Sequence, residues 1–132
     1  LPPLGRPISD ALYELCRECD ETRIILVHGG YTDLLATSEL IRSLEHVLLD
    51  LTLTLTRFAQ TSIGLDIRWL LDSFDRRICV GSDFPEGDMS QVCAALTRIG
   101  AEPVQVVTQC AKNVTAFFGS RTEKRNNASC CI

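Results

Sequence analysis

At 132 residues, 45% of them apolar, the chain has the size and composition of one globular domain. Its formal net charge of -4 argues against a nucleic-acid surface, which needs clustered Lys and Arg; the one basic cluster, Arg121, Lys124 and Arg125, lies in a polar tail. No apolar run approaches the about 20 residues that cross a bilayer, and the opening LPPLGRP lacks the pattern of a signal peptide, so a cytoplasmic protein with no membrane partner is expected.

Residues 8–21 have a helical period, with Leu12, Leu15, Cys16 and Cys19 on one face and Ser9 or Asp10 placed to cap it. The pair Cys16 and Cys19 forms a C-x-x-C with no second pair or His-x-His nearby to complete a zinc site, so the simpler expectation is a helix face. TRIILVHGG follows, a short apolar run closed by two glycines, as in a strand buried on both faces. TDLLATSELIRSLEH returns to a helical period through Leu34, Leu35, Leu40, Ile41 and Leu44, and HVLLDLTLTL then reads as a second strand.

The cycle repeats with a helix over residues 64–75, around Ile67, Leu70, Leu71 and Phe74, and a third strand in RRICVGSD. Two helices close the domain, at about residues 89–99 and 104–118, the second with Pro103 near its start and Gly119 beyond its end. The domain is therefore expected over residues 1–119, and SRTEKRNNASCCI, residues 120–132, reads as a polar, disordered tail.

Seven scattered cysteines, an odd number, fit reduced thiols better than a disulfide framework, and Cys79 and Cys93 read as small core residues. The ending SCCI places Ser129 where a prenylated cysteine would have to stand. The sequons at Asn113 and Asn127 carry no weight without a secretory signal.

Three strands separated by helices predict right-handed βαβ units and a parallel sheet whose strand carboxyl ends share one rim. Sites of α/β proteins form on that rim. It should carry His28 with Gly29 and Gly30, residues 50–54, and Ser82 with Asp83. An imidazole and a carboxylate there can bind a divalent cation or divide acid and base roles around a water. Equally, His28 can be a partly buried histidine bonded to a backbone carbonyl, Asp83 a turn former before Pro85, and the glycine pair a tight strand-to-helix turn. His46 should lie at the opposite rim as a surface residue, and Trp69 should pack from its helix.

The succession RIILVHGGY, HVLLDLT, DRRICVGSDFPEG and QCAKNVTAFFG resembles the carboxyl-terminal part of the amidohydrolase-related (amidohydrolase 2) family of metal-dependent hydrolases and decarboxylases, over about residues 8–119. That family folds as a distorted (β/α)8 barrel. The resemblance implies that the chain holds the last three β/α units. It makes Asp83 the eighth-strand aspartate that binds the metal or takes the proton of the attacking water. His28 becomes the sixth-strand histidine that orients that water or polarises the substrate, also a metal ligand by this likeness, and Gly29, Gly30 and Ser82 become substrate-binding positions. The implied cofactor is a divalent metal, Zn²⁺ or Mn²⁺, and the implied partner a small carbonyl or carboxylate substrate.

The family's His-x-His and its fourth- and fifth-strand ligands have no counterpart here, and three strands cannot close a barrel of about 250 residues. The expectation is thus a carboxyl-terminal fragment or truncated product, inactive alone, that self-associates or pairs with the missing barrel half. Two other readings remain: a flavodoxin-like α/β binding domain, and a non-catalytic interaction module that pairs through sheet edges.

Overall fold

Three short apolar runs pair side by side in chain order. The computed structural model describes residues 8–73 and 76–127. Its elements are α1 (Ile8–Glu18), β1 (Ile24–Leu26), a 3-10 segment (Val27–Asp33), α2 (Leu34–Ser43), β2 (Val47–Asp50), α3 (Thr54–Phe58), α4 (Ser62–Ser73), β3 (Ile78–Cys79), α5 (Met89–Arg98) and α6 (Pro103–Asn127). The fold is mixed α/β, a small open sheet of three parallel strands in the order β1-β2-β3 flanked by helices. Ile24 pairs with Val47 and Leu26 with Leu49, while Leu49 pairs with Ile78.

The core lies between the sheet and the helices. Val47, Leu49, Leu51 and Ile78 from the sheet meet Leu34, Ile41, Leu55, Ile67, Leu70, Val92 and Leu96 from the helices, all essentially inaccessible to water. The aliphatic strand composition selects this arrangement, because each of these side chains gains about 1.5–3 kcal/mol on full burial.

β2 is buried on both faces, since Val47, Leu48 and Leu49 are fully covered, but it is for β1 that such burial was expected. β1 is not so buried: Ile25 is 41% exposed, and Val27, the residue just after the strand, 57%. Ile24 and Leu26 pack against the core while Ile25 between them does not, so one face of β1 is open among the described residues.

The strand expected through LTLTL stops at Asp50 and becomes a turn and the short helix α3. The cause is local. Asp50 Oδ1 accepts hydrogen bonds from Thr52 N at 2.9 Å and Thr52 Oγ1 at 2.5 Å, folding the chain back in an Asx-type turn, and Leu53 follows at φ 64. At the other end of the chain, α6 runs to Asn127, past the Phe118 end expected from Gly119, because Gly119 does not take the left-handed conformation that would terminate the helix. The helical stretch thus enters the segment expected to be disordered; residues 128–132, and Phe74 and Asp75 of the expected third helix, lie outside the described residues.

One long-range side chain and one local capping box fix helix ends. Arg77, just before β3, donates to the carbonyls of Ile41 at 2.7 Å, Leu44, and Val47 at 3.2 Å, closing the carboxyl end of α2. Asp88 begins α5 with a capping box, accepting from Gln91 N at 3.0 Å while Gln91 Oε1 accepts from Asp88 N at 3.3 Å. No described helix is long and apolar enough to cross a membrane.

Candidate functional site

The parallel sheet brings the carboxyl ends of β1, β2 and β3 to one rim, so the residues just after each strand are neighbours across the ladder. His28 lies after β1 with φ 66. Its Nδ1 is 3.0 Å from the carbonyl oxygen of Thr52, after β2. A carbonyl only accepts, so Nδ1 carries a proton and Nε2 stands outside this bond. Thr54, fully buried, donates its hydroxyl to the His28 carbonyl. His28 is thus held at side chain and backbone by one loop. The carbonyl bond foreseen as the bland alternative is present, and it leaves Nε2 available.

The third strand closes on the same loop. A Cβ built on Gly81 would lie 2.7 Å from Thr52 Oγ1, so the backbone leaving β3 passes directly against Thr52. Asp83 follows at φ 59, half-buried, and its carbonyl accepts from Glu86 N at 2.8 Å and Gly87 N at 3.3 Å in a turn that includes the cis Phe84-Pro85 bond. The turn is made by main-chain atoms. The Asp83 carboxylate has no hydrogen bond or ion pair with a described residue.

That separates Asp83 from Asp50, whose carboxylate is engaged by Thr52 and by the Cys79 thiol, with Sγ 3.7 Å from Oδ1. Cys79 is not a plain core residue. Burial, the adjacent Asp50 carboxylate and Cys110 all push its thiol well above the ordinary range, so it stays protonated and is a poor nucleophile.

Gly29 and Gly30 have φ 61 and 81. Added side chains would meet Leu51 and Thr37, so both positions are explained by the tight turn and its packing against β2 and α2. Ser82 is partly exposed between Gly81 and Asp83.

His28, Tyr31, Leu53 and Asp83 are four of the five non-glycine residues with positive φ among the described residues, and all four follow strand ends on this rim. Each such conformation costs on the order of 1–3 kcal/mol and persists only where the surroundings impose it, a pattern concentrated at functional sites.

Sequence reasoning missed Tyr31, Arg57 and Phe58. The Tyr31 ring lies 5.7 Å from the His28 ring and 6.2 Å, edge-on, from Phe58, and the Arg57 guanidinium stands 6.0 Å from the Tyr31 centroid. The signal was Asp50 two residues ahead of Thr52, a turn pattern that ends the strand early and puts Arg57 and Phe58 on a rim helix.

His46 is half-buried, with Nε2 donating to the Cys16 carbonyl at 2.8 Å, so it ties the last turn of α1 to β2 instead of standing free at the surface. Trp69, on α4, is 48% exposed, with the Arg42 guanidinium 5.5 Å from its ring centroid, so it packs only in part. A cavity of about 390 Å³ between α4 and α6 is lined by Arg68, Asp72 and Glu102, away from His28 and Asp83.

His28 and Asp83 supply two donors where a zinc site takes about three from protein, and the described residues contain no group of three or more His, Cys, Asp or Glu able to hold a metal ion. His28 and Asp83 could therefore supply at most part of a divalent-cation site, and a complete one needs a further donor from outside the described residues. No protein family, curated protein or solved structure matches this chain in comparisons of sequence and fold.

Proposed function

We propose that this chain is a carboxyl-terminal, three-strand portion of an amidohydrolase-like (β/α)8 barrel, contributing a general base and a polarising imidazole to hydrolysis or decarboxylation of a small carbonyl or carboxylate substrate. Asp83 takes the proton of a water, and His28, with its Nε2 directed by the Nδ1 bond to Thr52, orients that water or the substrate oxygen. The single observation that carries the reading is the unengaged Asp83 carboxylate on the same strand-end rim as an imidazole fixed in one tautomer. Further donors, including any that complete a divalent-cation site, would come from outside the described residues, which makes the chain inactive alone.

The sequential strand order supports this reading over the flavodoxin-like one. Doubly wound sheets bind ligands where the strand order reverses, and β1-β2-β3 has no reversal. One observation favours a second reading, an interaction module: Ile25 and Val27 leave the β1 edge apolar and exposed.

Mn²⁺ tests the first reading, because carboxylate and imidazole suit it better than the thiols of this cysteine-rich chain do. Added below one equivalent, its paramagnetism should broaden the NMR signals of His28 and Asp83 first, and Asp83→Asn should weaken the effect at least tenfold. Broadening centred on other carboxylates, unchanged in Asp83→Asn, would overturn it.

A further inference from the structure

We infer that Arg57 and Tyr31 form an oxyanion-binding subsite beside His28, which takes the carboxylate or phosphate of a small ligand. The inference rests on reading this rim as a site. Its basis is the contrast between Arg57 and the arginines that hold the fold together. Arg77 is engaged by the carbonyls of Ile41, Leu44 and Val47, Arg68 by Asp72 and the Gly100 carbonyl, and Arg42 by Glu39 and the Trp69 ring.

The guanidinium of Arg57 has no hydrogen bond or ion pair with a described residue; it meets only the face of Tyr31, at 6.0 Å. A cation resting on a ring face is located in space while its N–H edge stays open, the geometry that accepts two oxygens of a carboxylate or phosphate at once.

The platform itself is constrained. Tyr31 is held at φ 52 between the rings of His28 and Phe58, so the cation is placed relative to the imidazole through one shared aromatic ring. The chain carries a net charge of -4, so an anion has little general attraction to it and depends on a local cation. Arg57 also lies in the last turn of α3, where any cation complements the helix carbonyls. A lysine would keep that role and lose the two-pronged contact.

The test is titration of the chain with inorganic phosphate and, separately, with acetate, at an ionic strength held constant with chloride, read by NMR at the Arg57 Nε–H and the Tyr31 ring. Saturable shifts are expected with at least one probe, at least tenfold weaker in Arg57→Gln and several-fold weaker in Arg57→Lys. Arg57 is exposed, so both variants should fold. Tighter phosphate binding would point to a phosphorylated ligand, and tighter acetate binding to a carboxylate; either supports the subsite.

Shifts that never saturate, or that persist unchanged in Arg57→Gln, overturn it. If they fail while Mn²⁺ still broadens His28 and Asp83, the subsite alone falls. If anion binding holds and the Mn²⁺ response does not, the proposed function falls and the anion site stands.

Discussion

Asn113, buried in α6, donates its Nδ2 to the carbonyl of Ile78 at 2.9 Å, an oxygen that points away from β2 and would otherwise be an open ladder position of β3. Leu49 N and Leu51 N take the carbonyls of Arg77 and Cys79 on the β2 side, so Ile78 faces the outer edge. Asn113 thus satisfies one carbonyl of the outer β3 edge. Asn113→Ala should destabilise by about 1–3 kcal/mol in urea unfolding, the cost of an unsatisfied buried carbonyl. Unchanged stability would show that the bond contributes nothing.

Asp83→Asn should leave stability within about 0.5 kcal/mol, because the carboxylate has no described partner and the turn is made by the main chain. In a complete enzyme the same substitution should abolish turnover. A large loss of stability in thermal unfolding would instead make Asp83 a structural residue.

At His28 the backbone and the imidazole can be separated. With φ 66, His28→Gly should be about 1 kcal/mol more stable than His28→Ala, although both lose the bond to Thr52. Chemical denaturation of the pair gives the difference directly, and Ala equal to Gly would mean that the left-handed conformation is not strained.

His46→Ala should cost about 1 kcal/mol through the lost bond to the Cys16 carbonyl, while leaving Mn²⁺ broadening at His28 and Asp83 unchanged. Loss of that broadening without unfolding would place His46 in the site.

Burial pushes the Cys110 thiol up to about 11, in part offset by the backbone N–H of Val80, and its ordinary value is 9.0. Between those values the folded chain holds a proton that the unfolded chain releases. Stability is therefore full below pH 9 and falls as pH rises toward 11. At pH 8, iodoacetamide should modify the half-buried Cys19 and Cys93 well before Cys79 and Cys110, as peptide mapping would read. Early labelling of Cys110 would contradict its burial.

The sequence by itself determined the alternation of strands and helices, the parallel sheet and the placement of His28 and Asp83 after strand ends, because short aliphatic runs and helical periods are local signals. Bounds slipped where a side chain intervened. LTLTL has the composition of a strand, and only the Asp50 carboxylate folding back on Thr52 converts it into a turn and α3. The tertiary structure alone decided which carboxylate is engaged and which is open, that His46 ties α1 to β2, that Asn113 bonds the Ile78 carbonyl, and that Tyr31 and Arg57 meet beside His28. The physical reason is the same in each case. These contacts join residues that are distant along the chain, so their partners are set by how the helices pack on the sheet and not by the composition of either segment.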